Sequence, residues 1–254
     1  MNIENYVKRF NYEGDIAPTL DVLTHLQETH LLNVPFENLD IHYKTPILLD
    51  LDRIYRKIVE RRRGGFCYEL NGLFYRLLRA IGFEAKMISA RVYSDKKEDF
   101  GAEYDHLAII VTIDEIEYLV DVGFGEFAFR PLKFEMNKVQ SDSRGDFIFE
   151  NHENGYIKVS KITGETKSAE YIFTKQERSF QEFGGMCHYQ QTSPDSHFTQ
   201  KKLITRPTPK GRITLSGTIL KITEDGVTMK EQTFDETEFG MYLREWFDMD
   251  ESSL

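Results

Sequence analysis

Two cysteines occur in the 254 residues, Cys67 and Cys187, and Cys67 is the one whose surroundings could make it a nucleophile. It follows Arg63-Gly64-Gly65-Phe66 and precedes Leu70, Leu73, Phe74, Leu77, Leu78 and Ile81, apolar residues at helical spacing that run to Gly82. Paired glycines disfavour helix and allow a tight turn. Cys67 therefore falls in the first turn of a helix, where unpaired N–H groups and the positive end of the dipole favour a thiolate and lower the thiol pKa. The same N–H groups could hold an oxyanion. A cysteine on an apolar helix also serves simply as a small buried hydrophobe. By itself, Cys67 does not separate the two.

A thiol nucleophile works with an imidazole that a third group orients. Residues 105–113 (DHLAIIVTI) and 116–122 (IEYLVDV) read as two strands joined by Asp114-Glu115. With a two-residue loop, Ile113 faces Ile116, and the same register puts Asp121 opposite Ala108. His106 lies two residues from Ala108 and so shares a face with Asp121. Such diagonal neighbours are roughly 7–8 Å apart, within reach of polar side chains. An acid inside Leu119-Val120-Asp121-Val122 is costly to bury unless it is paired. Cys67, His106 and Asp121 are thus the candidate catalytic residues.

The elements that must position them change character along the chain. The first third reads as helical: Leu20, Leu23, Leu26 and Leu31 follow a Pro18-Thr19 start, and a second helix begins at Asp50 with Leu51, Ile54, Ile58 and Val59 on one face, ending at Gly64-Gly65. Between them, Asn33-Val34-Pro35-Phe36-Glu37-Asn38 breaks the helix. From Phe83 the period becomes two, with strands at 83–93, 105–113 and 116–122 and weaker ones up to about 180. The last part gives strands near 212–222 and 226–231 around Asp225-Gly226, then a helix containing Tyr242, Leu243 and Trp246. The expected organisation is α+β in three parts: helical at 1–82, antiparallel β at 83–190 and mixed α/β at 191–254.

Bulk properties narrow the function. A 40% apolar and 13% aromatic content suits a folded chain rather than a disordered one. A net charge of −10 argues against a nucleic-acid partner, which rewards a basic surface. Met1–Phe10 lacks the apolar core of a signal peptide, no run is long enough to span a membrane, and two cysteines are too few for a stapled secreted domain. A cytoplasmic protein without a membrane partner is expected. His25 and His30 lack the HExxH arrangement, and Cys187-His188 has no second pair, so no metal site is expected. Gly123-Phe124-Gly125 lacks the strand–GxGxxG–helix context of a dinucleotide loop.

The motifs taken together resemble the arylamine N-acetyltransferases. Arg63-Gly64-Gly65-Phe66-Cys67-Tyr68-Glu69-Leu70-Asn71 is similar to that family's nucleophile motif. Asp105-His106-Leu107-Ala108 and Leu119-Val120-Asp121-Val122-Gly123-Phe124-Gly125 are similar to those bearing its His and Asp, and Val34-Pro35-Phe36-Glu37-Asn38-Leu39 to its N-terminal signature. The resemblance covers most of the chain, is vague from about 135 to 190, and has the short closing segment of bacterial members. It implies a helical bundle, a β-barrel and an α/β lid around a papain-like triad. It also implies acetyl transfer from acetyl-CoA through Cys67 to an arylamine, hydrazine or arylhydroxylamine. Rival readings are a cysteine hydrolase or transglutaminase-like enzyme with the same triad, and an idle binding domain of the same fold.

Phe36 and Phe124 match pocket positions of the family, and Phe198 is a third candidate; against this, most of the nineteen phenylalanines must be core. Glu37 and Arg63 match a buried pair that braces the loop before Cys67, whereas Arg61 and Arg62 read as a solvated helix end. Between Ser196 and Thr223 there is no acidic residue but six cations: Lys201, Lys202, Arg206, Lys210, Arg212 and Lys221. Such a reversal of sign suits the phosphates of coenzyme A, with Lys201, Lys202 and Arg206 as the candidate contacts. It equally suits an exposed strand edge protected by lysines.

Overall fold

The computed structural model describes all 254 residues. Seven α-helices are present: α1 (Ile3–Arg9), α2 (Leu20–Asn33), α3 (Leu39–His42), α4 (Leu51–Tyr55), α5 (Cys67–Ile81), α6 (Gly184–Thr192) and α7 (Phe239–Phe247). Thr19 caps α2 and Asp50 caps α4 through side-chain oxygens that accept backbone N–H groups, as Ser/Thr/Asp starts do. Gly82, at φ 109°, stops α5. The expected helix from Asp50 is shorter than its pattern: after Tyr55 the chain takes a π turn over Arg56–Glu60. Arg61 N–H then donates to the Arg56 carbonyl and Arg63 N–H to that of Lys57, which swings Arg63 back into the interior.

The central strands are β2 (Glu84–Ser94), β3 (Asp99–Phe100), β4 (His106–Ile113), β5 (Ile116–Val120), β6 (Leu132–Lys133), β7 (Gln140–Asp142), β8 (Gly145–Asn151), β9 (Ile157–Thr163) and β10 (Thr166–Phe173), following the two-residue β1 (Phe36–Glu37). They form one antiparallel sheet in the order β6-β5-β4-β2-β10-β9-β8-β7, with β3 on β2. The sheet curls until its two edges meet: Lys133 N–H donates to Gln140 Oε1, and Gln140 Nε2 donates to the Lys133 carbonyl, both at 2.8 Å. Asp114 and Glu115 both have positive φ, 48° and 64°, and Ile113 pairs with Ile116 as the two-residue loop requires.

Alternation along β4 explains why its sequence is apolar without a break. Leu107, Ile109 and Val111 pack against the helices in the first core cluster, while Ala108 and Ile110 join Phe147, Phe149, Tyr171 and Phe173 inside the barrel. Residues 180–190 lie in the segment expected as β, but Phe180, Phe183 and Cys187 pack into the helical core.

The last strands, β11 (Leu203–Thr208), β12 (Gly211–Ser216), β13 (Ile219–Glu224) and β14 (Val227–Thr233), make a second antiparallel sheet under α7. The single strand expected near 212–222 is two, because Gly217 (φ 60°) turns the chain between β12 and β13. At the other edge β1 pairs with β11, Phe36 facing Thr205, so the helix-breaking segment ties this sheet to the helices. No helix is long and apolar enough to cross a membrane.

His30 on α2 is fully buried against Tyr6, Phe10 and Phe74, its Nε2 3.0 Å from the Tyr6 hydroxyl. Burial, aided by the charge of Arg9, pushes its pKa down to about 3. On acidification the unfolded chain takes up the imidazole proton first, so stability is lost as pH falls from the ordinary histidine value towards the folded one. Between pH 7 and pH 5 this amounts to about 2 kcal/mol. Urea unfolding at the two pH values should show His30→Gln losing less stability than the parent by that amount. Equal losses would refute this assignment.

Candidate active site

Cys67, His106 and Asp121 converge where the start of α5 meets the end of the β4–β5 hairpin, and all are buried, at 5%, 2% and 1% exposure. His106 Nε2 lies 2.6 Å from Asp121 Oδ2. The face-sharing of the two residues follows from the register, with pairing ending at Ile109–Val120 just before Asp121. The Asp121 carboxylate accepts from Asn71 Nδ2 (2.8 Å) and Gly123 N–H (2.9 Å) on Oδ1, and from the Tyr171 hydroxyl (3.2 Å) on Oδ2. Asn71 in turn donates to the Leu107 carbonyl and accepts from Val122 N–H, joining α5 to both strands. Four donors thus meet one carboxylate, which satisfies its burial.

Asn71 and Tyr171 were not singled out from sequence. For Asn71 a signal existed, since it lies four residues after Cys67 and so on the same helix face. Tyr171 reaches Asp121 from the far side of the barrel interior, which no local pattern announces.

The two glycines before Cys67 have a reason other than a left-handed turn. A Cβ on Gly64 would lie 2.3 Å from the Pro35 carbonyl oxygen, a contact no side chain tolerates. Gly65 N–H donates to that carbonyl at 3.2 Å, and its own carbonyl accepts from Glu37 N–H at 2.9 Å. The loop before Cys67 is therefore laid directly along the Pro35–Glu37 segment. Gly123 makes the matching approach from the other side, where a Cβ would sit 3.0 Å from Cys67 Cα.

Beneath this loop lies a buried charge cluster. Arg63 reaches Glu37 (2.7 Å) and Asp40 (2.6 Å), and Lys57 reaches Asp40 and Glu69 (both 2.8 Å) and Glu37 (3.4 Å). Glu69 Oε2 also accepts from Phe66 N–H at 2.9 Å, capping α5 one residue before Cys67. The Glu37–Arg63 pair was expected, and Arg61 and Arg62 are exposed as expected. Lys57, Asp40 and Glu69 were not foreseen, because charged residues at such positions read as solvated faces.

The thiol differs from expectation. Burial pushes the Cys67 pKa well up, and Cys187, Asp105 and Asp121 act in the same direction. The Tyr68 N–H at the helix start opposes them and is outweighed. The helix terminus supplies the lowering effect anticipated, but an enclosed site amplifies the cost of a lone anion more.

Cys67 and His106 open on a cleft of about 280 Å³ between the barrel, α5 and the second sheet. Phe36, Phe124 and Phe198 all line it, with His197, Leu203 and Thr205. Phe124 packs edge-on to the His106 ring at 5.1 Å and to Tyr171 at 4.9 Å. Phe198 stands edge-on to Phe66 at 4.6 Å.

Lys201, Lys202 and Arg206, expected as phosphate contacts, are not in the wall of this cleft. Leu203 and Thr205 face the cleft, so alternation along β11 turns Lys202 and Arg206 to the opposite side. There Lys202 pairs with Glu236 and stacks over Phe239, and Arg206 donates to the Trp246 carbonyl at 3.1 Å. Lys201 is exposed. Of the six cations in that run, Arg212 is the one hydrogen-bonded to cleft residues, Thr205 Oγ1 (2.9 Å) and the Gly125 carbonyl (2.6 Å).

Comparison with known proteins gives a consistent picture. Residues 19–252 match the family model described as N-acetyltransferase. Human arylamine N-acetyltransferase 1 is 34% identical over 231 residues, covering 83% of this chain and 79% of its own. The arylamine N-acetyltransferase of Mycolicibacterium smegmatis is 30% identical, covering 90% and 84%. The solved arylamine N-acetyltransferase of M. tuberculosis superposes with a TM-score of 0.90 at 30% identity, covering 98% of this chain and 94% of that one. The enzyme of Mycobacterium marinum solved in complex with CoA gives 0.89 at 28% identity, covering 98% and 93%. A cysteine, histidine and aspartate gathered at a phenylalanine-lined cleft, on a fold shared along nearly its whole length with these proteins, mark the chain as a member of the arylamine N-acetyltransferase family.

Proposed function

We propose that the chain transfers an acetyl group from acetyl-CoA to an arylamine, hydrazine or arylhydroxylamine, with Cys67 as the carrier. The observation that carries this reading is the contact of His106 Nε2 with Asp121, 2.6 Å, beside a cysteine at a helix start in an aromatic cleft. With Nε2 committed to Asp121, Nδ1 is the nitrogen left to exchange a proton with the thiol. A lone thiolate is disfavoured by burial, so the anion forms together with the imidazolium, which Asp121 stabilises.

In the first half-reaction Cys67 Sγ attacks the thioester carbonyl carbon as its proton passes to His106. The tetrahedral oxyanion collapses, the bond to the CoA sulfur breaks, and the departing thiolate takes the proton back. Backbone N–H groups of the first turn of α5, which have no partner within the helix, serve as donors to the oxyanion. In the second half-reaction the amine nitrogen attacks the acetyl carbon, His106 accepts a nitrogen-bound proton, and the bond to Sγ breaks. An aromatic amine is neutral at pH 7 and so keeps its lone pair for this attack. Phe36, Phe124 and Phe198 supply apolar walls for its ring. Both thiols are free, which suits a reducing, cytoplasmic setting.

Weighing the intact protein after incubation with acetyl-CoA alone should reveal one added acetyl group. It should be absent in Cys67→Ala and discharged by an aromatic amine. No adduct, or an adduct that persists in Cys67→Ala, would overturn the reading, and peptide cleavage without acetyl-CoA would replace it with a hydrolase.

A further inference from the structure

Asp105 precedes His106 and lines the cleft with it, yet the proposed acetyl transfer makes no use of it. Its carboxylate is held from within the protein. Oδ1 accepts from Gln190 Nε2 at 2.6 Å, and Gln190 Oε1 accepts from Ser196 Oγ at 2.7 Å. Gln190 and Ser196 are both buried. Oδ2 lies over Gly101, where a Cβ would come within 2.4 Å of it, so the glycine leaves the acid its room. The Asp105 carbonyl accepts from the Tyr68 hydroxyl at 3.2 Å, which ties its backbone to the residue after Cys67.

Of the twelve residues that line the cleft, Asp105 is the one carboxylate, and none is Lys or Arg. The imidazoles there are His106 and His197. Burial holds His197 below the ordinary histidine pKa against the pull of Asp105, so it is uncharged at pH 7 and supplies no counter-charge. Arg212 bonds two lining residues, Thr205 and Gly125, from outside the wall, and its guanidinium is paired with Glu126. Burial pushes the Asp105 carboxyl up, while His106, the Gln190 hydrogen bond, His197 and the Val92 backbone favour its anion. That charge is felt at Cys67, where Asp105 acts with burial and Cys187 to push the thiol pKa up.

We propose that Asp105 forms a cation-favouring subsite of the cleft, which admits neutral and cationic reactants to Cys67 and disfavours anionic ones. For the acceptor, this deepens the transferase reading and rests on it: the substrate class becomes neutral or cationic arylamines and hydrazines rather than aminobenzoates. The subsite itself does not depend on that reading, since the same field acts on any reagent that approaches Cys67. At an effective dielectric constant of about 20–40, a unit charge acting over several ångströms changes a rate by about tenfold or more.

The test compares alkylation of Cys67 by iodoacetate and by iodoacetamide, which differ in charge and little in size. Peptide mass mapping reads both rates without acetyl-CoA. Both reagents consume the same thiolate, so their ratio cancels any change in thiol ionisation. Asp105→Asn, whose Oδ1 can still accept from Gln190, should raise the iodoacetate-to-iodoacetamide ratio about tenfold. Asp105→Ser, with a hydroxyl to meet Gln190, is a second neutral variant and should do the same. Asp105→Glu should stay near the parent, as should Glu165→Gln, which removes an exposed acid from the turn between β9 and β10. At about 1 M salt the gap between parent and Asp105→Asn should narrow, because the cleft is open to screening ions. For acetyl transfer, kcat/KM for 4-aminobenzoate relative to 4-aminobenzamide should rise in Asp105→Asn by a similar factor. An alkylation ratio unchanged in both neutral variants, or changed equally by Glu165→Gln, overturns the subsite. A changed alkylation ratio with an unchanged acceptor ratio overturns the substrate class. A changed alkylation ratio in a protein that never takes an acetyl group would keep the subsite and overturn the transferase reading instead.

Discussion

Asp121→Asn is expected to lower acetylation of Cys67 by about 10³–10⁴-fold while leaving the protein folded, the scale set by the equivalent change in a serine-protease triad. The four partners of Asp121 all act as donors to it: His106 Nε2, the Tyr171 hydroxyl, Asn71 Nδ2 and Gly123 N–H. An asparagine amide presents one NH₂ to that set whichever way it is flipped. Turned towards His106, the amide forces the Nε2 lone pair to accept and moves the proton to Nδ1, the nitrogen needed as base. Turned the other way, it opposes the Asn71 amide and Gly123 N–H, and leaves buried donors unpaired at about 1–3 kcal/mol. Single-turnover acetylation followed by mass measurement reads the rate, and chemical denaturation reads the stability. A loss below tenfold would remove Asp121 from the proposed mechanism.

Lys57→Met should be the most destabilising single change in the helical part, by about 3–5 kcal/mol. The Lys57 ammonium is 4% exposed and touches three carboxylates, Glu37, Asp40 and Glu69. Burial opposes its charge, but Glu37, Glu69 and Asp40 together hold its pKa above the ordinary lysine value. Without it, three buried acids face Arg63 alone. At the size of this chain the loss corresponds to roughly 10 °C in Tm. Arg62→Gln, five residues on, removes an ion pair with Asp248 whose side chains are 52% and 77% exposed, and should cost about 0–1 kcal/mol. Comparable Tm shifts in the two variants would show that burial of the cluster does not govern its worth. Activity of Lys57→Met should fall as well, because Glu69 holds both Lys57 and the Phe66 N–H at the start of α5, which carries Cys67.

Much of the site was legible because its determinants are local. The two-residue Asp114-Glu115 loop and strand parity are enough to bring His106 and Asp121 to one face, and a helix start is enough to place Cys67 in a first turn. Phe36 and Phe124 lie beside motif residues, and both line the cleft with Phe198. Arg63 and Glu37 were readable as a pair through the family resemblance, while Lys57 and Asp40 carry no local mark that distinguishes them from surface charges.

The last segment shows where local reading ends. Its run of cations was visible, but which of them meets the cleft depends on which face of β11 the helix α7 covers. That covering turns Lys202 and Arg206 away, while Arg212, from the adjoining strand, hydrogen-bonds two residues that line the cleft, Thr205 and Gly125.

By itself, then, the sequence determined the order of Cys67, His106 and Asp121, the register that joins the last two and the change from helical to strand periodicity. Each of these is set by neighbours within a few residues. Tertiary structure alone decided the donors that surround Asp121, the partners of Lys57 and the three cations that meet Glu126. It also decided the balance at Cys67, because burial and charge sum over everything nearby in space, and there the enclosure of the thiol outweighs the helix start in which it sits.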